Sequence, residues 1–268
     1  MPELPEVETI RQQLSSILPL PIIKVQEGQY FKSLTSKKKF KFPLTSIESI
    51  DRHGKWLIFN LKNKFHLLSH LGMSGTWRIS SAPLLKEKHI HLSLQGRSNW
   101  LSYQDPRRFG KMYLLSATEL QEKLNRQGRD LCSKDFDVKY IKVSCEKYPE
   151  RLLKVHLLDQ HFFAGSGNYI ASEVCARAGI LPMRKIKTLK EVDYKNIYKA
   201  FFSVVNNSLK SQGMTFQGGY KDTQGENGGG LQNLVVFYQK ICGLCKKNKV
   251  QKVFLAQRGT YFCPSCQK

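Results

Sequence analysis

Two places in the chain carry residue types that can do chemistry at short spacing. The first is the amino terminus, where Pro2 is followed by Glu3 and Glu6. An initiator methionine ahead of proline is usually removed, which makes Pro2 a secondary amine with a pKa near ~8. Its unprotonated fraction can attack an electrophilic carbon such as a sugar C1′ and form an iminium, covalent catalysis of the Schiff-base type. A carboxylate one residue away can carry the accompanying protons. The same residues also suit a plain helix start, where proline and negative charge are favoured. Spacing alone leaves both readings open. The second place is the tail, where Cys242 and Cys245 precede Cys263 and Cys266 by seventeen residues. Two C-x₂-C pairs at this distance match a zinc site in which four thiolates form a tetrahedron. A redox role would explain one pair and not two. With no spare ligand nearby, the zinc is expected to be structural. Arg258 sits between the knuckles at the expected hairpin tip, where it suits a phosphate contact.

Composition narrows the partner. Lys and Arg total 43 against 21 Asp and Glu, a formal charge of +22 over 268 residues. Self-repulsion of that size points to an anionic partner, nucleic acid ahead of an anionic membrane surface. From Lys195 to the end there are eleven basic residues and two acids, Asp222 and Glu226, and a small cluster stands at Lys37, Lys38 and Lys39. No stretch approaches the ~18 apolar residues of a membrane helix. The acidic start is no signal peptide. The chain is therefore expected to be cytoplasmic, with its seven cysteines reduced.

The elements that must position these groups follow from periodicity. Val7, Ile10, Leu14 and Ile17 recur at helical spacing, so the chain opens with an amphipathic helix over 2–18. Short apolar or alternating runs at 22–25, 56–61, 66–71, 89–94, 100–103 and 112–115 predict an antiparallel β-sandwich or barrel. Helices are expected over 119–125, capped by Thr118, and over 148–158, 169–178 and 192–209. A Gly-rich stretch at 213–230 reads as a mobile loop. Runs at 252–256 and 260–263 predict the hairpin between the cysteine knuckles.

Met1-Pro-Glu-Leu-Pro-Glu-Val-Glu-Thr9 resembles the start of bacterial formamidopyrimidine-DNA glycosylases. The resemblance runs the full length. It continues through Lys55 in an expected strand, His70-Leu-Gly-Met-Ser-Gly75, Asp105-Pro-Arg-Arg-Phe-Gly110, Gly165-Ser-Gly-Asn168, and the cysteine tail with Gln257-Arg258. Leu4 and Val7-Glu8-Thr9 point to this branch over the endonuclease VIII-like sister enzymes, which prefer oxidised pyrimidines. The resemblance implies an α+β chain in three parts. These are an N-terminal β-sandwich with its helix (1–130), a helix–two-turns–helix module (131–234) with a lesion-recognition loop at 213–230, and a zinc ribbon (235–268). It implies a monomeric enzyme that excises oxidised purines from damaged double-stranded DNA and nicks the strand, with zinc as its one cofactor. In that reading Pro2 is the nucleophile, Glu3 moves protons at the deoxyribose, Glu6 supports the site, and Lys55 contacts phosphate beside the lesion. Met73, Arg107 and Phe109 fill the space left by the extruded base, with Arg107 donating to the orphaned cytosine. Arg108, His89, Asn168 and Arg258 complete the DNA contacts.

Read without the resemblance, Met73 and Phe109 are ordinary core residues and Arg107 a surface charge. Three rival functions stay open. They are an oxidised-pyrimidine glycosylase, a non-catalytic DNA-binding protein on the same scaffold, and a zinc-ribbon transcription factor. The last leaves the N-terminal motifs unexplained. Two departures from the family pattern stand out. Asn168-Tyr169-Ile170 reverses the usual Ile-Tyr order and Ser166 replaces an apolar residue, which predicts altered packing. The recognition loop, Gln217-Gly-Gly-Tyr-Lys-Asp222, has its own sequence and bears on lesion preference.

Overall fold

The computed structural model describes residues 1–35, 41–216 and 219–268. Lys37, Lys38 and Lys39, and Gln217 and Gly218 of the Gly-rich stretch, lie outside the described residues. The chain divides into two compact units, Met1–Arg126 with Ser211–Gly229, and Gln127–Lys210 with Gly230–Lys268.

The first unit contains α1 (Leu4–Ser15), β1 (Leu20–Pro21), β2 (Lys24–Glu27), the short helix α2 (Phe31–Leu34), β3 (Ser46–His53), β4 (Trp56–Leu61), β5 (His66–His70), β6 (Thr76–Ser80), β7 (Ile90–Gln95), β8 (Trp100–Gln104), β9 (Lys111–Leu115) and α3 (Ala117–Leu124). The strands form two antiparallel sheets, in the orders β1-β3-β4-β5-β9 and β2-β7-β8-β6. Leu57, Phe59 and Leu67 of the first sheet share one core with Trp77, Leu92, Leu101 and Tyr103 of the second. Val7, Ile10 and Leu14 of α1 join it, which fixes the helix that begins beside Glu3. Each such side chain contributes about 1.5–3 kcal/mol through burial. The buried Trp77 indole donates to Ser69 Oγ at 3.1 Å, as a buried polar group must find a partner.

Strand β3 escapes the sequence pattern for a physical reason. Ile47 and Ile50 are three residues apart and would face opposite sides of a regular strand. A bulge between Ile47 and Ser49 brings both inward, 0% and 3% exposed. Strand β6, with Trp77 and Ile79 set among polar residues, is also absent from the expected set. Helix α3 is capped by Ser116, whose hydroxyl accepts from Glu119 N, and not by Thr118.

The second unit contains β10 (Arg129–Asp130), α4 (Val138–Glu146), α5 (Leu153–Leu157), β11 (Phe163–Ala164), α6 (Asn168–Arg177), α7 (Glu191–Lys210), β12 (Gln251–Leu255) and β13 (Arg258–Phe262). The helix expected over 148–158 is confined to α5, because Leu152 is extended and bridged to Lys185. Helix α4 was not expected, and Asp137 caps it by accepting from Tyr140 N at 2.7 Å. The cysteine-bearing tail is no separate body. Glu173 of α6, 1% exposed, accepts from the backbone N–H groups of Val235, Val236 and Phe237 at 2.8–2.9 Å. Burial raises the Glu173 carboxyl above its ordinary range, and these three N–H groups work against that rise. Residues 211–229 likewise belong with the first unit and not with the helical module, through the bonds given below. No helix among the described residues is long and apolar enough to cross a membrane.

Two buried histidines make acid stability testable. Burial, aided by Lys55 and Lys111, lowers His70 to about 4. Burial and Arg151 lower His156 to about 4 as well. Both stay neutral in the folded chain, while the unfolded chain takes up their protons near ~6.5. The unfolded state then binds more protons, so stability falls as pH drops from about 6.5 towards about 4. Urea midpoints measured across this window should decline, and less steeply in His156→Gln. A flat midpoint would contradict the assignment.

Candidate active site and nucleic-acid contacts

The amino terminus is assembled by the first turn of α1. Glu3 is the N-cap residue and Glu6 the third helical residue, and Glu6 Oε2 accepts from Glu3 N at 2.7 Å. Glu6 Oε1 accepts from Met214 N at 2.8 Å. Both carboxylates are buried, 3% exposed at Glu3 and 1% at Glu6. Gly213 stands against Glu6 at φ +86°, where an added Cβ would lie 2.9 Å from Glu6 Cγ, so glycine permits this approach. Burial pulls the Met1 terminal amine below the ordinary α-amino range. Glu3 and Glu6 act on it in the opposite sense, and Lys55 and Arg107 add to the lowering. The structure thus brings the terminal amine, Glu3, Glu6, Lys55 and Arg107 into one electrostatic site.

Lys55 is not in a strand. It is the second residue of the two-residue turn joining β3 to β4, where His53 pairs with Trp56. It is nonetheless buried at 6% exposure. His70, the last residue of β5, shares its field and accepts from Gly72 N at 3.0 Å through Nδ1.

Two loops at one end of the sheets present the remaining groups. Met73 lies between β5 and β6, and Arg107, Arg108 and Phe109 lie between β8 and β9. Met73 and Phe109 are not core residues, being 36% and 51% exposed. The guanidinium of Arg107 lies 5.0 Å from the centre of the Phe109 ring, within cation–π range. The loops touch at Gly72, where a Cβ would lie 2.4 Å from the Phe109 carbonyl carbon, and φ is +65°. Asp105, fully buried, holds the two together. Its Oδ1 accepts from Ser74 Oγ at 2.7 Å and Arg107 N at 3.3 Å, and its Oδ2 accepts from Gly110 N at 2.8 Å. His89 is an exposed turn residue at φ +70°, just before β7, and its carbonyl accepts from Asp105 N at 3.0 Å. Arg108 points elsewhere, over the Tyr30 ring at 4.5 Å.

The Gly-rich segment is not free over its described residues. Met214 forms a bridge with Gly229, Thr76 Oγ1 donates to Lys221 O at 2.9 Å, and Tyr220 is buried in the sandwich core. A cavity of about 830 Å³ opens between this segment and the sheets, lined by Ser74, Thr76, Arg78, Thr215, Phe216 and Lys221 among others.

The second unit holds the other predicted contacts. Asn168 begins α6, with Gly167 as the N-cap. Its side chain is engaged: Oδ1 accepts from Lys154 Nζ at 2.8 Å and Nδ2 donates to Gly259 O at 3.1 Å. Lys154 is fully buried and also donates to Thr260 Oγ1 at 2.8 Å. These bonds bring Asn168 beside the β12–β13 hairpin. Arg258 is the exposed first residue of β13 and not the tip, which is formed by Ala256 and Gln257 at φ +44° and +60°. The reversed pair behind Asn168 is packed: Tyr169 is 2% exposed, with its hydroxyl 3.2 Å from Ser208 Oγ.

The four tail cysteines converge, their Sγ atoms all within 4.8 Å of one another. Cys242 to Cys266 and Cys245 to Cys263 are each 3.9 Å. A tetrahedron of Zn–S bonds near 2.3 Å has edges of about 3.8 Å, so the residues fit zinc. Sequence reasoning missed Asp105, Ser74 and Lys154 as organising residues. Lys154 had a signal, a charge inside the apolar run from Leu152 to Leu158.

Comparison with known proteins agrees with this geometry. Residues 1–112 match the formamidopyrimidine-DNA glycosylase N-terminal domain and residues 127–218 the formamidopyrimidine-DNA glycosylase H2TH domain. A formamidopyrimidine-DNA glycosylase of Streptococcus mutans is 34% identical, with both chains wholly covered. The Lactococcus lactis Fpg in complex with an abasic site containing DNA superposes with a TM-score of 0.88 at 31% identity, covering 99% of each chain. A variant of the Lactococcus lactis protein in complex with a Fapy-dG containing DNA superposes at 0.86 and 33% identity, covering all of both chains. With both halves of the chain matched and its length spanned, the protein belongs to the formamidopyrimidine-DNA glycosylase family.

Proposed function

We propose that Pro2, once Met1 is removed, is the nucleophile of a DNA glycosylase that acts on oxidised purines, 8-oxoguanine and formamidopyrimidines. The coarser activity follows from the family: the chain is a DNA glycosylase and abasic-site lyase of base excision repair, and it binds damaged duplex DNA. The observation that carries the finer reading is the crowding of Glu3, Glu6, Lys55 and Arg107 around the amino terminus of the chain, next to Pro2. Loss of Met1 leaves a secondary amine at Pro2 beside these groups, and its unprotonated form is the nucleophile.

The step forms a bond from the Pro2 nitrogen to C1′ and breaks the bond from C1′ to the base. The amine then loses its proton, the C1′–O4′ bond breaks with a proton delivered to O4′, and the open-chain iminium results. Glu3 takes and returns the protons at the sugar. Glu6 holds the first turn in place. Elimination from the iminium then expels the flanking phosphates. Lys55 offers its charge to a phosphate beside the lesion. The target base must leave the duplex first, at a cost of a few kcal/mol. Exposed Met73 and Phe109, with Arg107 stacked on the latter, suit the space left behind. His89 and Arg108 lie on the flank of the same loops. The cavity beside residues 211–229 accepts the extruded base. Asn168 at the start of α6, together with Arg258, would meet phosphate. The sandwich, the helical module at 131–234 and the ribbon at 235–268 act as functional parts, although ribbon and helices pack as one unit and residues 211–229 within the module's range pack with the sandwich. Zinc held by Cys242, Cys245, Cys263 and Cys266 would fix the hairpin that presents Arg258. The protein works on chromosomal DNA in the bacterial cytoplasm as a monomer.

Borohydride trapping on duplex with 8-oxoguanine opposite cytosine, read by mass spectrometry, should place the adduct on Pro2. Tight binding without an adduct in protein lacking Met1 would favour a non-catalytic or pyrimidine-directed protein, and an oxidised-pyrimidine duplex separates those. Glu3→Gln should lose base release while retaining damaged-DNA binding, and Pro2→Gly should weaken catalysis or reroute it to another amine. Metal analysis should find one zinc per chain, lost with DNA affinity in Cys263→Ser. Full DNA affinity in the metal-free variant would contradict the role given to the ribbon.

A further inference from the structure

The base pocket and the proton-transfer groups lie on separate stretches of chain. Thr215, Phe216, Lys221 and Gln224 line the cavity, whereas Glu3 and Glu6 sit at the head of α1. Their register must be enforced by something. Glu6 does so at one end through Met214 N. Gln13 does so at the other. It lies seven residues beyond Glu6, two turns along the same face of α1.

The Gln13 amide uses both of its ends. Nε2 donates to Asp222 Oδ2 at 2.7 Å. Oε1 accepts from Thr223 N at 3.0 Å and from Thr223 Oγ1 at 2.8 Å. The partners are themselves fixed. Asp222 Oδ1 accepts from Gln224 N at 2.9 Å and Glu226 N at 2.8 Å, and Thr223 O accepts from Ile79 N at 3.1 Å. Asp222 and Thr223 are 5% and 0% exposed and Gln13 is half-buried, so these bonds are partly sheltered from water. The side-chain amide donates to a carboxylate from one end while its other end accepts from an N–H and a hydroxyl, a division that a carboxylate of the same length cannot make. A glutamate here would set two carboxylates against each other.

We propose that Gln13 is a positioning residue that holds the Lys221–Gln224 wall of the pocket in register with the helix carrying Glu3 and Glu6. It therefore serves lesion-base excision and not elimination at a sugar that has already lost its base. This rests on the functional reading above.

The test compares two duplex substrates, one with the oxidised base that the wild type removes and one with a preformed abasic site. Gln13→Glu should lower kcat/KM for excision about tenfold, the size expected from losing a bond to a charged partner. Abasic-site cleavage should stay at the wild-type rate. Combining Gln13→Glu with Asp222→Asn restores one donor facing one acceptor, and excision should recover. Gln13→Ala supplies the same comparison where Gln13→Glu fails to fold. Equal loss on both substrates, or no recovery in the double variant, would overturn the proposal. A wrong lesion assignment shows in the wild type's choice of base, whereas a failed coupling shows only in the variants. A wild type that removes no oxidised base ends both readings.

Discussion

One buried carboxylate sets the geometry of the first unit. Glu6 has almost no contact with water, so its charge must be met by protein donors, among them two backbone N–H groups. One is the N–H of Glu3, its own helix N-cap, and the other is the N–H of Met214, more than two hundred residues on. The helix N-terminus favours negative charge, which offsets part of the desolvation cost. The result is a rigid corner. The amino terminus, α1 and the beginning of the Gly-rich segment cannot move independently without leaving that carboxylate unpaired.

Asp105 repeats the device at the exposed end of the sheets. Its oxygens gather Ser74, Arg107 N and Gly110 N, so two loops from different strand pairs behave as one surface. That surface displays Met73, Arg107 and Phe109 where water would normally discourage large apolar groups. The backbone around them is held through the N–H groups of Gly72, Gly75, Arg107, Arg108 and Gly110.

In the second unit the same logic uses a buried cation. Lys154 carries its charge into the interior and finds Asn168, Gly259 O and Thr260 there. Helix α6 and the ribbon hairpin are joined by it on one side, and by Glu173 with the 235–237 backbone on the other. Two oppositely charged buried groups thus dock a cysteine-rich tail that has little apolar core of its own.

What the sequence determined by itself is what short range can encode. Pro2 beside Glu3, and the paired cysteines, are legible because the chemistry depends on residues a few positions apart. Regular alternation and helical spacing likewise located α1, most of the sandwich and α7. The pattern failed where the backbone departs from a regular period, as at the bulge that turns Ile47 and Ile50 to the same side, and at Leu152, which is extended against Lys185. Only the tertiary structure decided which polar groups are paired. Gln13 with Asp222, Glu6 with Met214 and Lys154 with Thr260 are separated by 209, 208 and 106 residues. Nothing in local spacing marks such partners, because what selects them is the cost of leaving a buried polar group unsatisfied once the chain has folded.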